Sequence, residues 1–312
     1  MNGASSFADL DAAIRAESKA LATTRTTAAY RRESEAIAFE EIHASCRQAG
    51  ALLDEHALRA LIERGVALGD RPLREYLIAS GYADAARFVQ TAEAPRPNQP
   101  LLRQDEIVEL HARATRLLPE ARPGAWRVTT SGALHSGMVP PPFWLVPREI
   151  AAFVDRFGRV PPERDSPLLF VAEAHERFTR IHPFTAGNGR VARLVTNLLL
   201  RRLGYPPFVI RAAERRQYRA ALAKADARDP WPLAMFLARS ILAGLTRLAA
   251  ASGSREALRP LAEFARASGR EALYKAAQRH RLRIVRKGRS LLTTAEWVNE
   301  YLTGAERPRP KL

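Results

Sequence analysis

A chain of 312 residues with 46% apolar side chains can bury a sizeable core, is too apolar for a disordered segment, and has length for two or three domains. Its formal net charge of +16 favours nucleotides, nucleic acid or acidic surfaces as partners without choosing among them. The single cysteine, Cys46, excludes an intramolecular disulfide and a thiolate zinc cluster, fits a reducing cytosol, and reads as a packed thiol.

In chain order, Met1 to Leu10 lacks a basic segment followed by an apolar run, so no signal peptide is expected. Residues 7 to 92 read as a series of helices. Leu10, Ile14 and Leu21, then Ile37, Ile42, Leu58 and Leu61, recur at helical intervals, with breaks at Gly50 and Gly69 to Pro72. This N-terminal helical region, 1–93, gives way at 94–100 to a proline-rich linker that cannot continue a helix. A helix then begins near Asp105 with acids in its first turn, the end that favours them. His111 and His175 fall within amphipathic helices and read as satisfied histidines. Between Gly124 and Pro142, β-prone pieces around Ser131, Gly132 and Gly137 predict a hairpin.

Further helices are predicted from Pro147 and over Leu168 to Arg180. Pro183 stops the second of these just after His182, a histidine whose ordinary pKa suits a general base. Gly187, Asn188 and Gly189 let backbone N–H groups converge, and the apolar run after them opens a helix whose N-terminus adds to an anion site. Arg190 and Arg193 lie one turn apart, able to meet the same phosphate chain with forked donors. Helices 190–203 and 215–227 follow. The tract Trp231 to Ala251, interrupted by Arg239 and Arg247, reads as a core helix rather than a membrane span, and a cytoplasmic protein is expected.

From Gly253 onward the chain carries fourteen Lys and Arg against six Glu. The order is a short helix over 261–265, a helix over 270–281, strands over 282–286 and 289–292, and a last helix over 294–302. This looks like a small winged helix-turn-helix of the excisionase or MerR-like kind over 255–304, followed by a disordered tail, 305–312. The resemblance implies DNA contacts from Arg270, Lys275, Gln278 and Arg279 on its second helix, and from Arg283, Arg286, Lys287 and Arg289 on the wing. A protein or dimer contact with a solvated basic face is the alternative.

The run His182-Pro183-Phe184-Thr185-Ala186-Gly187-Asn188-Gly189-Arg190-Val191-Ala192-Arg193 resembles the signature of the Fic family, matching every specified position but one. The resemblance covers about 101–250. It implies a mainly α fold: a helical core with a β-hairpin flap, an N-terminal helical region and the small C-terminal module. It also implies transfer of AMP from ATP to a Ser, Thr or Tyr hydroxyl of a target protein. His182 would be the base and Phe184 the anchor of the loop. Gly187, Asn188 and Gly189 would form the anion hole, with Arg190 and Arg193 on the phosphates. A flap of His135, Ser136, Gly137, Met138 and Val139 would pair with the target segment.

The exception is Ala186, where the family places the carboxylate that holds Mg²⁺. Loss of that ligand makes the metal uncertain and predicts weak transfer, another phosphate-bearing donor, or a nucleotide-sensing DNA-binding regulator. Glu33 to Phe39 resembles the family's inhibitory helix, with Ala38 where the inhibitory glutamate stands. Recruitment of Glu40 by a small shift of the alignment, or an unpaired Arg193, are the alternatives. Partners are thus a protein target, DNA as an open question, no membrane, and a homodimer as a further candidate.

Overall fold

The computed structural model describes residues 3–132, 134, 137–162, 165–252, 259–268, 270–279, 281–287, 290–293, 297–298 and 301. Helices dominate: α1 Gly3–Ala20, α2 Ala28–Gln48, α3 Glu55–Arg64, α4 Leu73–Thr91, α5 Gln104–Thr115, α6 Val146–Phe157, α7 Pro167–Ile181, α8 Asn188–Arg202, α9 Arg215–Asp226 and α10 Trp231–Ala251. Two short helices, α11 Leu261–Ser268 and α12 Arg270–Gln278, accompany the strands β1 Arg259–Pro260, β2 Val285–Lys287 and β3 Ser290–Thr293. The chain divides into two compact units, 1–15 with 36–241, and 16–35 with 242–312.

In the larger unit α8 packs against α4, α5 and α7, and α4 lies along α5. Leu194, Val195, Leu198 and Leu199 of α8 are buried, as expected of a helix enclosed on several sides. At Gly81 of α4 a Cβ would stand 2.9 Å from the Ala114 carbonyl, so only glycine lets α4 approach α5 this closely. Arg202 of α8 grips the buried Glu106 of α5 with two hydrogen bonds, 2.9 and 2.5 Å. The predicted linker ends on Leu101 and Leu102, both fully buried, with Leu101 N–H on the Gly158 carbonyl at 2.6 Å.

Between 124 and 142 the expected hairpin takes a different form. Leu134 N–H reaches the Met138 carbonyl at 2.8 Å and Gly137 N–H the Leu134 carbonyl at 2.9 Å, which closes a turn, but no strand ladder forms among the described residues. Pro140, Pro141 and Pro142 follow directly; they carry no N–H to continue a ladder.

In the smaller unit Arg247 bonds Glu33 at 2.6 Å. There the order β1-β3-β2 forms an antiparallel sheet, with Pro260 opposite Leu292 and Arg286 opposite Leu291. Leu261, Leu273, Ala276, Leu282, Trp297 and Val298 make its own core. The sequence reading gave both later strands within a few residues and missed β1, which is two residues long. Among the described residues α10 alone is long and apolar enough to cross a membrane by composition, and 61% of its most apolar stretch is buried, as in a core helix.

Candidate active site

Helix α7 delivers His182. Ser166 caps its start, accepting Leu169 N–H at 3.1 Å, and Pro167 occupies the first turn, where its missing N–H costs nothing. A residue before proline is pushed out of the right-handed helical region, and His182 ends the helix left-handed, at φ 49°, ψ 59°. That conformation costs a non-glycine residue roughly 1–2 kcal/mol and must be held from outside.

Arg127 supplies the hold. Its guanidinium donates to the carbonyls of His182 (2.8 Å), Thr129 (3.0 Å), Ile181 (3.5 Å) and Pro141, while its backbone N–H bonds the Pro183 carbonyl at 2.9 Å. The side chain is buried and all these acceptors are neutral carbonyls, so burial lowers its pKa. The His182 imidazole is pushed below its ordinary value, chiefly by burial and further by Arg127, against the Thr179 carbonyl. It is therefore neutral at pH 7, the form that accepts a proton.

Phe184, fully buried, anchors the motif loop. His111 stacks on one face at 3.6 Å between centroids and Trp126 lies at 4.9 Å. His111 accepts Gly124 N–H on Nδ1 at 3.0 Å, which leaves the proton on Nε2, 3.1 Å from the Ala186 carbonyl. This histidine, expected to be a satisfied core residue, is one, yet it is also the floor of the loop. His175 is satisfied more deeply: Tyr218 donates to Nε2 at 2.8 Å, and Nδ1 reaches Thr196 at 2.7 Å.

Gly187, at φ 84°, opens α8; a Cβ there would meet Thr115 Cγ2 at 3.0 Å and Arg190 Nη2 at 3.3 Å. The side chain of Asn188 is spent on the loop, accepting Phe184 N–H at 2.9 Å and donating to the Phe184 carbonyl at 2.7 Å. The anion-hole role expected for Asn188 is that of its backbone N–H, which stands with those of Gly189 and Arg190 in the first turn of α8. Arg190 is anchored by Nη1 on the Ala114 carbonyl at 2.8 Å, and Arg193 by Nε and Nη2 on Ser45 Oγ (2.6 Å) and O (3.1 Å). Each keeps one terminal nitrogen without a hydrogen bond among the described residues: Arg190 Nη2 beside Gly187, and Arg193 Nη1, 3.6 Å from where a Gly189 Cβ would stand. Both side chains are at most 7% exposed, and burial brings Arg190 down to about 10, still charged at neutral pH.

Of the inhibitory alternatives, Glu40 bonds Arg211 at 2.7 Å and makes no hydrogen bond to the motif among the described residues, and Arg193 has no carboxylate partner there, its hold coming from Ser45 instead. The residues of the glycine turn do not fit a Mg²⁺ site: a methyl stands at Ala186, and none of residues 185–189 carries a carboxylate. Of the flap, Gly137 and Val139 are exposed and Met138 half-buried; His135 and Ser136 lie outside the described residues. Of the DNA candidates, Lys275, Gln278 and Arg279 are exposed and Arg283 half-buried; the side chains of Arg270, Arg286, Lys287 and Arg289 lie outside the described residues. Cys46 is buried, and burial pushes its thiol up to about 12. Sequence reasoning missed Arg127 and Ser45, each a lone polar residue without a motif of its own.

An α-helical domain with a histidine elbow and two anchored arginines around a glycine turn is thus the class defined by fold and site. Residues 101–200 match the Fic/DOC family, and this stretch, from α5 into α8, is a Fic/DOC domain. The chain is similar to the protein adenylyltransferase Fic of Nematostella vectensis, 33% identical over 182 residues that cover 58% of this chain and 42% of that one. It spans about two fifths of the length of the curated relatives it matches. Its fold is similar to Fic-1 from C. elegans (TM-score 0.70, 24% identity, 80% of this chain and 74% of that one). A Fic domain containing signaling protein from Bacteroides thetaiotaomicron is similar too (TM-score 0.67, 21% identity, 78% and 97%).

Proposed function

We propose that the chain is a Fic-type protein adenylyltransferase that transfers AMP from ATP to a hydroxyl of a protein target. The observation that carries the reading is the pair of buried guanidiniums, each anchored by one edge and turning a free nitrogen to the glycine turn at the start of α8. Two buried cations with no carboxylate in direct contact call for an anionic ligand, and a helix N-terminus at the same place suits phosphate. Neutral His182 takes the proton of the target hydroxyl as its oxygen bonds the α-phosphorus; the bond to the β-phosphate oxygen breaks and pyrophosphate leaves. Arg190 and Arg193 stabilise the charge that grows on that leaving group. No step is routed through a metal, because Ala186 offers none a ligand.

Labelling of the chain and of a cell lysate by α-³²P-ATP, beside His182→Ala, tests this. Label that depends on His182 supports the proposal; equal label in both proteins refutes it. The winged helix-turn-helix and its DNA contact are proposed for the C-terminal unit on the order β1-α11-α12-β2-β3 and the exposed Lys275, Gln278 and Arg279. A basic face of this kind gives salt-dependent, sequence-blind affinity, so duplex binding that ignores ionic strength would count against it.

A further inference from the structure

Arg193 is the more tightly held of the two motif arginines, and what holds it lies outside the motif. Ser45 Oγ donates to Glu41 Oε1 at 2.8 Å, so its lone pairs face the incoming Nε–H of Arg193. Tyr82 of α4 donates to the same Glu41 oxygen at 2.7 Å. Glu41, Ser45 and Tyr82 are all buried, and the four side chains form one line: guanidinium, serine hydroxyl, carboxylate, phenol. Burial pushes the Glu41 carboxyl up, and the Tyr82 and Ser45 hydroxyls and the Arg193 charge pull it back. Glu41 stands three residues beyond Ala38, about one helical turn, and meets Arg193 only through the serine.

That intermediary matters geometrically. A carboxylate in direct contact takes an arginine fork with both oxygens, and the fork is then closed to phosphate. Ser45 instead occupies only Nε and Nη2 and leaves Nη1 beside Gly189. We infer that Ser45, oriented by Glu41 and Tyr82, is a positioning residue that fixes Arg193 with its free nitrogen toward the outer phosphates of a nucleoside triphosphate. The inference rests on the nucleotide-transfer reading above and adds to it three residues, from α2 and α4, that no motif assigns. None of the three touches the nucleotide; they act through Arg193.

The test is calorimetric titration of the full chain with ATP and with AMP, which lacks the phosphates Arg193 would meet, without added metal. Ser45→Ala should weaken ATP by about 10-fold, the scale of a lost charge-assisted hydrogen bond, and leave AMP within about 2-fold. Ser45→Thr, which keeps the hydroxyl, should restore ATP binding. Tyr82→Phe, nearly isosteric, should show a smaller loss of the same selectivity and serves if Ser45→Ala does not fold. An equal loss for ATP and AMP, or unchanged ATP binding by Ser45→Ala while Arg193→Ala weakens it, overturns the positioning role and leaves the nucleotide site standing. Wild type that binds ATP no better than AMP, with no effect of Arg193→Ala, removes the triphosphate reading itself and the inference with it.

Discussion

Acid should loosen the core under the motif loop by a predictable amount. His111 and His175 are both neutral in the fold: burial holds the first at about 4 and the second at about 3, against 6.5 for a free imidazole. Arg190 adds to the depression at His111 and the Ala186 carbonyl opposes it. A second proton on His111 would turn Nδ1 into a donor facing the Gly124 N–H. The unfolded chain protonates both imidazoles below about pH 6.5, whereas the fold resists until the depressed values are reached. The stability these groups contribute is therefore full above that pH and is lost as the pH falls toward 4 and then 3. At pH 5 the unfolded state holds about 0.9 more proton at His111 and about 1 more at His175, slopes of about 1.2 and 1.3 kcal/mol per pH unit. Urea unfolding between about pH 7 and pH 5, followed by tryptophan fluorescence, measures the sum with all carboxylate contributions included. His111→Phe keeps a ring stacked on Phe184 and removes one titrating group, so carboxylates cancel in the difference. Its slope near pH 5 should be shallower than wild type by about 1.2 kcal/mol per pH unit. The same slope in both proteins would refute a neutral, proton-resisting His111.

Other perturbations separate chemistry from scaffold. His182→Ala should abolish transfer with ATP affinity kept within about 2-fold, because a base contributes to the transition state rather than to ground-state binding; calorimetry beside the labelling assay checks both halves. Since the His182 pKa is lowered, the rising limb of the pH–rate profile should lie below the ordinary imidazole value, and a limb above it would contradict burial as the dominant influence. Ala186→Asp, which supplies the absent oxygen ligand, should raise Mg²⁺-dependent transfer by about 10- to 1000-fold, given several kcal/mol for a correctly placed metal. Arg127→Ala leaves buried carbonyls at the end of α7 without a donor and should cost about 2–4 kcal/mol, read as a lower urea midpoint, with transfer falling further than ATP binding.

The helices of the larger unit could be read from the sequence because each buries an apolar stripe at helical spacing, and the glycine turn with His182, Arg190 and Arg193 could be read because it is contiguous. The clamps could not. Arg127 serves a carbonyl 55 residues away and Ser45 a guanidinium 148 away, and neither residue type announces such a partner. The side chain of Asn188 faces inward to Phe184, a contact within the loop that the motif spacing does not reveal. Of the expected hairpin the described residues show the closing turn, Leu134 N–H on the Met138 carbonyl, and three successive prolines after it carry no N–H to extend a ladder.

The methyl at Ala186 and the hydroxyl at Ser45 bear on the same charge balance. A carboxylate at position 186 would bring one negative charge to the glycine turn and, through a divalent cation, change the sign of the field that a triphosphate meets. A carboxylate directly on Arg193 would cancel one of the two guanidiniums. Neither is present, and the nearest buried acid, Glu41, already accepts two hydroxyl protons and reaches Arg193 only through one of them. Two buried positive charges therefore remain largely uncompensated around the start of α8, where the helix dipole adds to them. Burial and the repulsion of Arg193, the two largest influences that depress Arg190, are both offset by the negative charge of an entering anion. On the proposed reading a polyphosphate would supply the missing counter-charge of the site, so binding and stability should be linked more closely than where acids already neutralise the arginines.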